Sequence, residues 1–183
     1  MVATLIDMRP CLRLGVLLMA WSLVTMLLSG CAGLERHYQA LLVLGDLSAG
    51  SGESRLKRRS EPPRREAIHY ARQGRAYQAD VYLPGTPRWG SLILIHGFTE
   101  QGRRDPRLVA LAKTLGRAGF RVMVPELDGL RDYSISTREV TSIVDAIRYA
   151  TRSAPDAPSQ TAVAAVSFAV GPTLIAAMDE TVG

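Results

Sequence analysis

Apolar and polar positions change their period several times along the chain, and each change marks an element. Glu66–Arg72 (EAIHYAR) and Ala76–Pro84 (AYQADVYLP) have the residue types of strands, and the turn around Gly74 between them predicts an antiparallel hairpin. Ser91–Gly97 (SLILIHG) is a continuous apolar run bounded by turn residues, the pattern of a strand covered on both faces. Asp105-Pro106 then supplies an N-cap and a proline at the first helical position, with Leu108, Leu111, Ala112 and Leu115 on one face of the helix that follows. Gly119 ends that helix, and Phe120–Pro125 (FRVMVP) is the next apolar strand. Ser136 and Glu139 have capping-box spacing ahead of a helical stripe of Val140, Ile143, Val144 and Ile147. APDAPSQ breaks the chain, Ala162–Val166 is a third buried strand, and the stretch from Phe168 onward, including Asp179 and Glu180, is helical.

The order β-β-β-α-β-α-β-α is that of an α/β protein: an antiparallel hairpin, then a parallel sheet built by right-handed crossovers and covered by helices in three layers. Sites in such sheets gather at the carboxyl ends of the strands. Two features stand there, His96-Gly97-Phe98-Thr99 and Ser167.

The chain upstream has another character. Arg9 and Arg13 precede an uncharged run, Leu14–Leu28, followed by Leu28-Ser29-Gly30-Cys31, which is the layout of a secretory signal. The tetrad resembles a bacterial lipobox, and that resemblance implies acylation of Cys31 as the mature N-terminus. The other reading is an uncleaved anchor, because Leu14–Leu34 carries no charge and about 20 apolar residues span a bilayer. Both tether an exported domain to a membrane. Asp7 is foreign to such a basic segment, whereas a start at Met8 is ordinary. The expected divisions are a signal peptide over 1–30, a tether with a short helix and a basic linker over 31–66, and the α/β domain over 67–183.

Within the tether, Leu34–Leu47 clusters apolar residues as a short helix does, ended by Gly45 and the following SAGSGES; it either packs on the domain or lies at the membrane surface. The net charge of +5 also resides largely here. Ser54–Glu66 holds six Lys/Arg against two Glu, while 67–183 holds thirteen basic against eleven acidic residues, so nothing else supports nucleic-acid binding. The basic stretch is a solvated spacer or is drawn to anionic lipid headgroups. The cysteines are Cys11 and Cys31, which leaves 67–183 without a disulfide, a thiol nucleophile or a cysteine-built metal site. No ligand cluster implies a metal, and Gly85, Gly90 and Gly97 are too widely spaced for a phosphate loop, so no cofactor is expected.

A serine between a buried strand and a helix is either an N-cap or a nucleophile exposed on a tight turn. Ala165-Val166-Ser167-Phe168-Ala169, taken with the upstream ILIHGF loop, the Asp105-Pro106 helix and the strand order, resembles the α/β-hydrolase family from about Glu66 onward. Its nucleophile elbow is usually Gly-x-Ser-x-Gly, and here both glycines are alanine. The resemblance implies Ser167 as nucleophile and the backbone N–H groups of Phe168 and Phe98 as oxyanion donors, with Thr99 as a substitute for the latter. It makes His96 structural. Asp128 is a loop residue, and His69 and His37 lie on elements that do not serve Ser167.

The family's triad runs serine, acid, histidine along the chain. Beyond Ser167 stand Asp179 and Glu180 and no histidine, so the residues present are expected to be the N-terminal part of a longer hydrolase, cut after the elbow. The resemblance thus implies a membrane-tethered serine hydrolase of the bacterial cell envelope, facing periplasm or exterior, that cleaves an ester, thioester or amide of a small or lipid-like acyl substrate. The alternative is a non-catalytic hydrolase-like lipoprotein serving as a binding or structural module. Oligomeric state is left open.

Overall fold

The computed structural model describes residues 33–87, 89–153 and 160–182. The segment expected to be a signal peptide, with Cys11, the Leu14–Leu28 run and Cys31, lies outside the described residues. The chain divides into two units, Met1–Leu41 and Leu42–Gly183.

Residues 33–49 are helical (α1). The helix continues through Gly45, where the sequence pattern ended it. A glycine inside a helix costs about 1 kcal/mol, and its neighbours in the second unit offset this: Leu42 is buried, and Asp46 accepts hydrogen bonds from Ser54 Oγ and, at 2.6 Å, from Thr114 Oγ1. The basic stretch is not merely a solvated spacer. Ser54 caps a short helix α2 (Arg55–Arg59) by accepting from Lys57 N, Leu56 is 3% exposed, and Pro63 lies where any side chain at Gly116 would stand. The compact unit therefore begins at Leu42, well before Ala67.

Strands β1 (Arg64–Arg72) and β2 (Arg75–Leu83) form the expected hairpin, turned through Gln73 and Gly74, both with φ in the left-handed region. β3 (Gly90–Ile95) leads to helix α3 (Pro106–Arg117), β4 (Phe120–Pro125), a short helix α4 (Asp128–Arg131) and helix α5 (Thr137–Arg148). Asp105 accepts from Arg107 N at the start of α3, and Ser136 and Glu139 close both halves of the capping box on α5. β5 (Thr161–Ala165) and helix α6 (Val170–Ala177) follow. Asp179 and Glu180 lie beyond α6 in a turn, because Met178 N already folds back onto the helix's last carbonyls.

The sheet order is β1-β2-β4-β3-β5, with β4, β3 and β5 parallel and the hairpin joined antiparallel through β2 to β4. Period-2 alternation sends side chains to two cores. Ile93, Ile95, Met123 and Val81 meet Ile143 and Ile147 of α5 on one face, while Leu94, Val122, Val124 and Tyr82 meet Leu108 and Ala112 of α3 on the other. Each such side chain contributes about 1.5–3 kcal/mol, and together they hold β4 and β3 inside the sheet. β5 differs from the buried strand expected at Ala162–Val166: Ala162 is exposed and its neighbours half-buried, because among the described residues only β3 pairs with it.

Candidate active site

The parallel register that pairs Ile95 with Ala165, together with the Val166 N to Ile95 O hydrogen bond of 3.1 Å, brings the loops after β3 and β5 together. Gly97 and Ser167 meet there. A Cβ on Gly97 would stand 2.9 Å from Val166 O and 3.1 Å from Ser167 Cβ, so the approach requires glycine. Ser167 has φ +57°, a left-handed conformation that costs an L-residue roughly 1–2 kcal/mol. An N-cap residue has extended backbone and a side chain that accepts from the first turn. Ser167 has neither feature: neither the 3-10 turn Ser167–Ala169 nor α6 has a side-chain cap, and the hydroxyl-bearing residue is exposed. Strain of this kind is found where the chain must present a side chain at one point.

Around the serine the surface is apolar and aromatic. The Phe98 and Phe168 rings stack with centroids 4.9 Å apart, and Tyr133 tilts against Phe98 at 5.6 Å. Phe168 and Tyr133 are both more than half exposed. Beside Ser167 opens a cavity of about 310 Å³ whose walls include His96, Phe98, Leu108, Leu111 and Val166. Phe98 N and Phe168 N make no hydrogen bond to a protein acceptor among the described residues.

His96 lines the same cavity but is fully engaged. Its side chain is 1% exposed; Nδ1 donates to Gly97 O at 2.9 Å and Nε2 accepts from Leu127 N at 3.2 Å. Burial is the main cause that holds it below its ordinary range, and the hydrogen-bonding pattern is that of a neutral imidazole tying the β3 loop to the chain after β4. Asp105, also in the wall, accepts from Thr99 Oγ1 at 3.1 Å and from Arg107 Nε and Nη2. The Arg107 hydrogen bonds hold its carboxyl well below the usual carboxylate range. Neither group is disposed as a base for Ser167.

The loop carrying Phe98 and Thr99 is held from behind by a buried arginine. Arg103 donates from Nη1 to Gln78 Oε1 and Glu126 Oε2, each at 3.1 Å, and its Nε lies 3.3 Å from Asp80 Oδ2. Asp80 is also bound by Arg65 Nη2 at 2.5 Å. Gly102, with φ +51°, turns the chain where any Cβ would collide with Glu126 Oε1. This clamp was not foreseen from the sequence: its partners come from β2 and from the end of β4, more than twenty residues away, with no local pattern to link them. Tyr133 was missed for a related reason, since a left-handed turn at φ +56° brings it to Phe98.

Other sequence candidates fall elsewhere. Asp128 is the first residue of α4, not a loop residue, and pairs with Arg131 at 3.5 Å. His69 is exposed on β1, opposite Gln78. His37 bonds Gly33 O within its own unit. Asp179 bonds Thr181 beyond α6. Among the described residues, no three His, Cys, Asp or Glu side chains are grouped to hold a metal, and no helix is long and apolar enough to cross a membrane.

No protein-family model and no curated protein matches this chain. Solved structures do. A dienelactone hydrolase from Anabaena variabilis superposes with a TM-score of 0.52 at 20% identity, over 64% of this chain and 58% of that one. The alpha/beta hydrolase GrgF from Penicillium sp. sh18 gives 0.53 at 21% identity, over 65% of this chain and 43% of that one. At these identities the likeness is one of fold, and the chain carries part of an α/β-hydrolase fold: it spans about half the length of these structures.

Proposed function

We propose that the protein is a membrane-tethered serine hydrolase in which Ser167 is the acyl-accepting nucleophile. The observation that carries this reading is the left-handed Ser167 at the end of a parallel strand, seated on Gly97 and capping no helix. In the proposed reaction Ser167 Oγ attacks the carbonyl carbon of an ester, thioester or amide and gives its proton to a base. The N–H groups of Phe98 and Phe168 hold the oxyanion, the leaving group departs with a proton, and water then releases the acid. Among the described residues no imidazole is hydrogen-bonded to Ser167; the reading assigns base and acid to the positions after β5 that the α/β-hydrolase chain order gives them. The apolar cavity and the exposed aromatic rings favour an apolar acyl group.

The tether is proposed from the sequence: a lipidated Cys31 behind the Leu14–Leu28 run, holding the domain at a bacterial envelope membrane on its periplasmic or outer side. Hydrolysis of an activated aryl ester by the membrane-bound protein, lost in Ser167→Ala with the fold intact, tests the enzyme. The engaged state of His96 and Asp105 favours a second reading, a binding module on the same fold. A folded protein inert to that ester and unaffected by Ser167→Ala would select it.

A further inference from the structure

We propose that the segment Leu42–Arg59 is an interfacial surface that lies on an anionic lipid bilayer. It has one side for the domain and one for something else. Inward, Leu42 and Leu56 are buried and Asp46 is 3% exposed, bound by Ser54 and Thr114, with Lys57 Nζ 3.5 Å away. Lys57 also donates to Gly50 O at 2.5 Å and Gly52 O at 2.6 Å, which closes the loop between α1 and α2. The segment is thus fixed on α3 and presents its other residues in a set arrangement.

Those other residues include two leucines and three arginines, with Glu53 as the one exposed acid among them. Leu44 is 60% exposed and Leu47 39%, three positions apart on the same side of α1. Arg55, Arg58 and Arg59 are exposed on α2, and of these Arg58, two positions on from buried Leu56, faces farthest from it. Exposed leucines on α1 and exposed arginines on α2 supply the two chemistries of a bilayer surface, one for acyl chains and one for phosphates. Charge selects anionic lipid, because a zwitterionic surface offers arginine no net attraction. Sequence position agrees, and here the inference rests on the proposed tether: Leu44 follows Cys31 by thirteen residues, so a membrane holding a lipid on that cysteine is within reach. The consequence is orientation: the surface would fix how the domain sits above the membrane, rather than leave it on a loose leash. This inference does not depend on Ser167 chemistry.

The test uses the full chain with Cys11→Ser and Cys31→Ser, carrying Leu44→Cys with an environment-sensitive fluorophore, inserted through its own apolar run into vesicles. The vesicles are phosphatidylcholine alone or phosphatidylcholine mixed with phosphatidylglycerol. The expected result is a blue shift and protection from aqueous iodide in the mixed vesicles only. Arg55→Glu and Arg58→Glu should reverse it, the interfacial fraction falling roughly fivefold for each arginine lost. A fluorophore at His69→Cys, exposed on β1, should stay in water throughout. Iodide access at residue 44 in both vesicles would overturn the proposal. Equal burial in both vesicles, insensitive to the arginines, would overturn the anionic selectivity. Concentration-dependent burial in detergent without vesicles would assign the surface to a second copy of the chain instead.

Discussion

Gly97 and Ser167 touch across the ends of β3 and β5, with room between Gly97 Cα and the Ser167 turn for a hydrogen and no more. Gly97→Ala would place a methyl 2.9 Å from Val166 O, a backbone atom that cannot swing aside. The expected outcome is a loss of roughly 1–3 kcal/mol in stability, measured by urea unfolding. It is accompanied by a fall in Ser167 reactivity larger than the stability loss explains, because the elbow itself must move.

The backbone of Ser167 provides a separate test. Glycine accepts a left-handed φ without the Cβ penalty, whereas alanine keeps the penalty and removes the hydroxyl. Ser167→Gly should therefore be more stable than Ser167→Ala by roughly 1 kcal/mol, read from thermal unfolding, with both inactive. Equal stabilities would mean that the turn is unstrained.

His96 predicts a pH dependence. Its folded-state value lies below the ordinary 6.5, chiefly through burial. The unfolded chain then takes up a proton first as pH falls, so this contribution to stability is full above about pH 6.5 and is lost as pH drops toward the folded-state value. Asp46 is also depressed: burial pushes it up, but hydrogen bonds from Ser54 and Thr114 and the Lys57 charge outweigh that, and its contribution is lost only as pH falls below 3.8. His96→Gln should remove the upper limb of the stability profile and leave the acid limb in place.

Arg103, itself buried, holds three partners. Arg103→Met should cost about 3–5 kcal/mol, because it leaves Glu126 without its cation and buried Asp80 with Arg65 alone. Arg103→Met with Glu126→Met should cost less than the two single changes summed, a coupling measurable by a double-mutant cycle.

Much of this fold could be read along the chain because the informative signals are local. The Asp105-Pro106 start, the Ser136–Glu139 capping box and the apolar run Phe120–Pro125 each depend on residues a few positions apart, and each stands where the pattern put it. The disagreements are tertiary. Gly45 stays helical because Leu42 and Asp46 are anchored at distant partners, and the basic stretch is ordered because Leu56 and Pro63 pack on elements far along the chain. β5 was expected to be buried because alternating small residues cannot say how many neighbours a strand has. At the site, Ser167 and the loop from His96 to Thr99 were legible as strand-end residues. The Arg103 clamp and the Tyr133 contact were not, since sheet register and left-handed turns create them.

The most direct measurement of the central claim is a fluorophosphonate reaction on the intact folded protein, followed by peptide mapping of the adduct. A single phosphonylated serine at Ser167, abolished by prior heat unfolding and by Ser167→Ala, is the predicted result. A folded protein that takes no label, or takes it elsewhere while Ser167 stays unmodified, would contradict the assignment.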